Sequence, residues 1–207
     1  MGKILMINGS PNERGCTFTA LDEVAKTLKK RGIDSEIVYL GKKAVQGCVA
    51  CMYCQSHGKC VFNDLVNELA ERMGEFDGLV VGSPVYYAGP TGQICSFLDR
   101  FFFSQANKFA NMLAASVVSC RRGGATAAFE RLNKYFTISN MIVAGSQYWN
   151  MVHGFTPDDV RKDLEGLQTM RTLGENLAFM LESIQAGRKN GVKKPEYEKA
   201  VYTHFIH

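Results

Sequence analysis

Residues 3–17 have the sequence KILMINGSPNERGCT, and this stretch decides the fold. Its first half is a short apolar run, typical of a strand buried on both faces, and the residues GSP end that run in a loop. Apolar residues then recur at helical spacing through residues 17–32, where a basic last turn and a glycine end the helix. The stretch therefore predicts a strand, a loop and a helix, which is the first unit of a parallel α/β sheet.

The same alternation continues along the chain. We predict further strands at residues 36–40, 77–82, 114–120 and 141–145, and helices at 64–76, from about 91, at 126–136 and at 157–184. Five apolar strands separated by helices indicate an α/β fold in which helices cover both faces of a five-stranded parallel sheet. No linker or internal repeat divides the chain, so we expect one domain over residues 1–187 and a polar tail at 188–207.

Composition excludes several classes of protein. The 207 residues carry a formal charge of +4 with dispersed basic residues, which does not indicate a nucleic-acid partner. No apolar run approaches a membrane span of about 18 residues, and the N-terminus lacks the pattern of a signal peptide. We therefore expect a cytoplasmic protein that binds neither nucleic acid nor membrane. Seven cysteines in such a chain suggest reduced thiols, metal ligands or redox chemistry.

The loop at residues 8–17 has the character of a phosphate site. Backbone N–H groups at a helix start, joined by the hydroxyls of Ser10 and Thr17, favour an anion. A Walker loop does not fit, because five residues separate the two glycines and Cys16 occupies the lysine position. The dinucleotide pattern G-x-G-x-x-G is also missing, so a mononucleotide phosphate fits better than NAD or ATP. The alternative is an ordinary turn in which Thr17 is the helix N-cap.

The loop at residues 82–90, GSPVYYAGP, follows the most apolar strand. Two tyrosines between two prolines offer a stiff wall against which a flat ring could stack. Ligands of such folds lie beyond the carboxyl ends of the strands, which is where this loop is expected. The alternative is an ordinary strand-to-helix connection with buried tyrosines.

Three segments together resemble a known family: INGSPNERGCT, GCVACMYC with a fourth cysteine after it, and VGSPVYYAGPTGQICSFLDR. They are similar to the flavodoxin-like NAD(P)H-dependent FMN reductases, and most similar to the iron-sulfur flavoprotein group. The resemblance implies a flavodoxin-like three-layer sandwich with strand order 2-1-3-4-5. It also implies bound FMN, NAD(P)H as substrate, and a homodimer or homotetramer.

The resemblance also implies which residues hold the cofactor. The FMN phosphate would contact Ser10, Asn12, Cys16 and Thr17. The isoalloxazine ring would be lined by Pro84, Val85, Tyr86 and Tyr87. The loop after the fourth strand would contribute Cys120, Arg121 and Gly123, where a positive charge or an N–H donor would stabilise a reduced, anionic flavin. The alternative for this loop is a pair of solvated arginines beside a glycine turn.

Four cysteines lie within 13 residues, at Cys48, Cys51, Cys54 and Cys60. Four close thiolates suit an iron-sulfur cluster or zinc. By resemblance they would hold a [4Fe–4S] cluster that passes electrons to FMN, but structural or redox thiols without a metal remain an open alternative. Cys95 lies among apolar residues and is expected in the core.

Two functions follow from this sequence. The first is an enzyme that passes electrons from NAD(P)H through FMN to a quinone, a free flavin or a similar small acceptor. The second is a non-enzymatic carrier that relays electrons between protein partners. Because the cofactor performs the chemistry, we predict no catalytic acid or base. The loop at 146–154, which contains Trp149, is expected either to cap this site or a partner's or to be ordinary loop packing, and His153 is a candidate for a proton donor. A thiol- or zinc-based sensor is a third reading.

Overall fold

The computed structural model describes residues 2–105 and 108–203. At its centre lies a parallel sheet in the order β2-β1-β3-β4-β5, with β6 paired to the far end of β4. The strands are β1 (Lys3–Asn8), β2 (Asp34–Tyr39), β3 (Gly78–Pro84), β4 (Leu113–Cys120), β5 (Ile142–Val143) and β6 (Met151–His153). β4 is buried along its whole length, as a continuous apolar run in a parallel sheet requires.

Helices cover both faces of this sheet. They are α1 (Cys16–Lys30), α2 (Tyr53–His57), α3 (Leu65–Arg72), α4 (Gly92–Gln105), α5 (Ala125–Ile138), α6 (Pro157–Lys162) and α7 (Leu164–Lys189). One hydrophobic core lies between the sheet and α3, α4 and α5, and a second lies between the sheet and α1, α6 and α7. The predicted flavodoxin-like three-layer sandwich with strand order 2-1-3-4-5 is confirmed.

The fifth strand differs from the prediction. Instead of one strand at 141–145, the chain pairs with the start of β4 through β5, leaves the sheet, and returns as β6 beside residues 118–120. The intervening bulge is fastened to α7, because Asn176 donates to the carbonyl of Gly145 and Thr172 to the side chain of Gln147. β6 brings the residues that come directly after it, Gly154 and Phe155, to the carboxyl edge of the sheet.

Two predicted helices also have different bounds. The segment predicted as one helix over 157–184 is α6 and α7, since Asp163 ends α6 and its carboxylate accepts from the N–H of Gly166 to cap α7. The segment predicted over 64–76 is α3 followed by a turn of 3₁₀-helix, Met73–Glu75. The short helix α2, inside the cysteine-rich loop, had no periodic signal in the sequence.

After α7 the chain has no helix or strand through residue 203. The Tyr197 hydroxyl of this segment donates to Asn111 Oδ1 at 2.9 Å, which ties the segment to the body. The division into a domain over 1–187 and a tail over 188–207 remains a prediction. Among the residues that the structure describes, no helix combines the length and apolarity needed to cross a membrane.

Candidate functional site

A cleft of about 250 Å³ opens at the carboxyl ends of β1, β3 and β4. It brings together loops that are far apart in the sequence, as expected for a fold of this kind. Its walls are formed by Ser10, Pro11, Asn12, Cys16, Thr17, Pro84, Val85, Tyr86, Ser119, Cys120, Arg121, Gly154 and Phe155. Nine of the eleven residues predicted to bind the cofactor therefore share one cleft, and Tyr87 and Gly123 do not line it.

One end of the cleft is the N-terminus of α1. The N-cap is Gly15, which has an extended backbone and offers no side-chain cap. The first N–H groups of the helix, including those of Cys16 and Thr17, therefore lack helical partners and can receive an anion. The alternative interpretation, in which Thr17 is the helix N-cap, is therefore wrong. The Thr17 hydroxyl instead lies 2.8 Å from that of Ser119 on β4.

The loop that precedes α1 is held by its own hydrogen bonds. Asn8 Nδ2 donates to the carbonyl of Glu13 at 3.0 Å, and Asn8 Oδ1 accepts from the N–H of Ser10 at 3.1 Å. Ser10 Oγ in turn accepts from the N–H of Asn12 at 3.1 Å. A loop fixed in this way loses little conformational entropy when a ligand binds. The uncapped helix start and the fixed loop fit the phosphate of a mononucleotide.

The side chain of Cys16 also suits an anion site. Burial raises the pKa of the Cys16 thiol, so this group is neutral at physiological pH and does not repel a phosphate. Its Sγ lies 3.7 Å from the carbonyl oxygen of Gly154, to which it donates. Cys16 therefore connects the phosphate end of the cleft with the segment that follows β6.

The tyrosine wall is a tight hairpin. The N–H of Tyr86 donates to the carbonyl of Gly89 at 2.8 Å, and the reverse bond is 2.9 Å long. The two residues at the turn, Tyr87 and Ala88, have φ angles of +48° and +60°, a conformation that favours glycine. Tyr86 faces the cleft, whereas the Tyr87 side chain is fully exposed. Only one of the two tyrosines is placed to cover a flat ring.

The loops after β3 and β4 support each other. Gly124 has a φ angle of +87°, and a Cβ atom there would lie 2.8 Å from the Cα of Ala88. This close approach holds the tyrosine hairpin against the loop that carries Cys120 and Arg121. Arg121 is exposed and adds a positive charge to the rim of the cleft.

Four cleft residues were not among the sequence-predicted site residues: Pro11, Ser119, Gly154 and Phe155. Gly154 and Phe155 reach the cleft because β6 returns to the sheet just before them. Of the other residues singled out in that region, His153 is half-exposed, with Nδ1 3.8 Å from Asp163 Oδ2, and Trp149 is exposed and edge-on to Tyr148. Neither lines the cleft.

The four clustered cysteines occupy a separate loop that includes α2. Cys48 and Cys51 are exposed, and Cys54 and Cys60 are partly buried. Burial, and then the neighbouring thiols of Cys60, Cys48 and Cys51, raise the pKa of Cys54. The donor atoms suit iron-sulfur or zinc chemistry, but within residues 2–105 and 108–203 no three metal-ligating side chains are arranged around a common point. The arrangement as described does not fit a cluster.

Cys95 and Arg100 lie on α4, beneath the cysteine loop. Cys95 is partly buried and packs against the larger hydrophobic core. Arg100 is almost completely buried, and its guanidinium faces Asp64 at 2.7 Å. No sequence pattern predicted a role for this arginine.

A loop held by its own hydrogen bonds, the uncapped start of α1 and an aromatic hairpin all lie at the carboxyl edge of a sheet with strand order 2-1-3-4-5. Together they define a flavodoxin-like protein with a mononucleotide cleft. A family model for NADPH-dependent FMN reductases matches residues 2–156, three quarters of the chain. The chain belongs to this family.

Curated relatives agree with this assignment. An iron-sulfur flavoprotein of Methanocaldococcus jannaschii is 32% identical over 193 residues, covering 88% of this chain and 99% of that protein. An iron-sulfur flavoprotein of Methanosarcina thermophila is 30% identical over 190 residues, covering 90% and 98%. These similarities and the family match make the protein a flavoprotein oxidoreductase or electron carrier.

Two structural neighbours share the fold. RosB, solved with bound 8-demethyl-8-formylriboflavin-5′-phosphate, has a TM-score of 0.70 at 16% identity and covers all of this chain and 94% of its own. A WrbA-like flavodoxin from Agrobacterium tumefaciens has a TM-score of 0.62 at 14% identity, covering 88% of this chain and 99% of its own. At these identities they support the fold alone.

Proposed function

We propose that the cleft binds FMN and that the protein passes electrons from NAD(P)H to a small acceptor such as a quinone or a free flavin. The observation that carries the proposal is that the uncapped start of α1 and the ring of Tyr86 face one cleft. One end offers N–H donors to a phosphate and the other offers an apolar wall to a ring, which is the pattern an amphiphilic mononucleotide needs.

When bound, FMN supplies the two-electron chemistry between nicotinamide and acceptor. The backbone of Cys16 and Thr17 binds the phosphate, and Pro84, Val85 and Tyr86 cover part of the ring. The positive charge of Arg121 at the rim favours the reduced, anionic form of the flavin over the neutral oxidised form. No side chain has to act as an acid or base in this scheme.

An anaerobic absorption experiment tests the reductase. Purified protein loaded with FMN should show two flavin bands that bleach within seconds after NADPH or NADH is added, and a quinone should restore them. Flavin bands that persist with both nucleotides, yet bleach with dithionite, would contradict the reductase and leave only a carrier.

The second candidate is an iron-sulfur electron carrier. It is favoured by the presence of four thiols in one loop and by the names of the two relatives. It requires the loop to rearrange, because among the described residues these thiols do not form a metal-binding group. Anaerobically purified protein would then show broad absorbance beneath the flavin bands. Cys51→Ser would remove the iron while FMN stays bound, whereas loss of FMN would mean that the loop mainly shapes the flavin cleft.

The partner and assembly state also stay proposals. We expect a small acceptor or a redox protein as the electron partner, a cytoplasmic location, and a homodimer or homotetramer. Light scattering coupled to size-exclusion chromatography measures the number of subunits. A monomer at micromolar protein concentration would contradict the expected homodimer or homotetramer.

A further inference from the structure

A second cavity, of about 630 Å³, lies next to the phosphate end of the flavin cleft. The two spaces share Asn12, Cys16 and Phe155 as walls, so a ligand group at the start of α1 borders both. The proposed reductase chemistry uses only the smaller one. A space of this volume is in the range of small-molecule sites.

The charge of this second cavity is positive. Arg14 and Lys42 line it against one carboxylate, that of Glu13. Among the described residues, neither cation has a carboxylate within ion-pair distance, and the Arg14 guanidinium instead packs over the ring of Phe18 at 4.2 Å. Two cations beside an uncapped helix start concentrate positive potential there and favour an anion.

The cavity also has aromatic walls. The Phe155 side chain is 78% exposed although it lies between two cavities. Tyr39 lines the same space and is fixed by its hydroxyl, which donates to the carbonyl of Pro11 at 2.8 Å. An accessible aromatic face next to cations suits a base that stacks and carries a phosphate.

We propose that this cavity binds an adenosine phosphate, with the phosphate near Arg14 and Lys42 and the base against Phe155. The inference rests on the proposed function, because the FMN phosphate at α1 is its neighbour. An adenosine phosphate can come from two sources. It can be joined to the flavin phosphate, as in FAD, or arrive as a separate nucleotide, for which ADP is the probe.

Three titrations test the proposal on the full chain: FMN and FAD into flavin-free protein, and ADP into FMN-loaded protein. Each is repeated with Lys42→Gln and with the control Lys43→Gln, whose side chain does not line the cavity. We expect FAD to bind roughly tenfold more tightly than FMN, or ADP to bind the loaded protein. Lys42→Gln should weaken that binding roughly fivefold, as for one exposed charge pair, and leave FMN affinity within about twofold. Lys43→Gln should change neither.

Each outcome decides a separate point. Preference for FAD identifies the tethered source, and ADP binding without that preference identifies the separate nucleotide. If FAD binds no better than FMN and ADP does not bind, the inference is overturned while the proposed function stands. An affinity for FAD or ADP that is the same in Lys42→Gln as in the wild type would also overturn the inference. If FMN itself fails to bind, the proposed function is overturned, and ADP titration of the flavin-free protein decides the inference alone.

Discussion

Arg100 donates its Nε–H to the Sγ of Cys60 across 3.2 Å, from a side chain that is 1% exposed. The rest of the guanidinium binds the carboxylate of Asp64 through two bonds and the carbonyls of Gln46 and Phe62. One buried cation on α4 therefore holds both ends of the cysteine loop. The loop has a fixed position relative to the sheet through contacts of the protein itself.

Asp64→Asn tests this anchor. The variant keeps an oxygen for the N–H of Val66 at the start of α3, but leaves Arg100 without its counter-charge. We expect the free energy of unfolding to fall by about 2 kcal/mol, less than for a fully buried pair because Asp64 is partly exposed. Urea denaturation measures the change. The control is Asp158→Asn, whose exposed pair with Arg161 should be worth less than about 0.5 kcal/mol; equal losses would contradict the anchor.

Gly124→Ala should disturb the cleft through the tyrosine hairpin. A methyl group there combines an unfavourable positive φ with a clash against the backbone of Ala88. Gly32→Ala is the matched control, because its φ is +73° but no atom lies within 4 Å of the added Cβ. We expect a loss of about 1 kcal/mol for the control and at least about 2 kcal/mol, with weakened FMN binding, for Gly124→Ala. Thermal melts measure the stability of both variants, and flavin titrations measure their FMN affinity. Equal stability and equal FMN affinity in Gly124→Ala and Gly32→Ala would mean that the loops after β3 and β4 separate without cost.

Glu36 makes stability depend on acid pH. Hydrogen bonds from Arg72, at 2.9 and 2.8 Å, lower its pKa from 4.5 to about 2, against the opposing effect of burial. A carboxyl with a lowered folded-state pKa stabilises the protein above its unfolded pKa and loses that contribution as the pH falls towards 2. Because the pair is partly exposed, we expect wild type to exceed Glu36→Gln by about 1–2 kcal/mol at pH 6. The two proteins should converge near pH 2 in urea denaturation, and a constant difference would contradict this assignment.

Tyr86 and Tyr87 provide a matched pair for the ring wall. Tyr86→Ala removes an aromatic face from the cleft and should weaken FMN binding by about 1–3 kcal/mol, or roughly 5- to 150-fold. Tyr87→Ala changes a fully exposed side chain and should leave the affinity within about twofold. Flavin-fluorescence titration compares them. An unchanged affinity in Tyr86→Ala, or a larger loss in Tyr87→Ala, would rule out the assigned wall.

The sequence predicted the parts of this structure that depend on local pattern. Continuous apolar runs identified the parallel strands, and glycine-, serine- and proline-rich loops after β1 and β3 identified two walls of the cleft. The split of the fifth strand was not predictable, because its bulge depends on contacts of Gly145 and Gln147 with α7. The different exposure of Tyr86 and Tyr87 was equally hidden, since it follows from a turn packed against Gly124.

The most direct test of the proposed FMN site compares FMN with riboflavin in a fluorescence titration of flavin-free protein. The two ligands share the ring and differ in the phosphate, which the start of α1 is proposed to bind. We predict that FMN binds and that riboflavin binds at least about 100-fold more weakly, as the loss of two charge-assisted hydrogen bonds implies. Equal affinity for the two ligands, or no binding of FMN, would contradict the central claim.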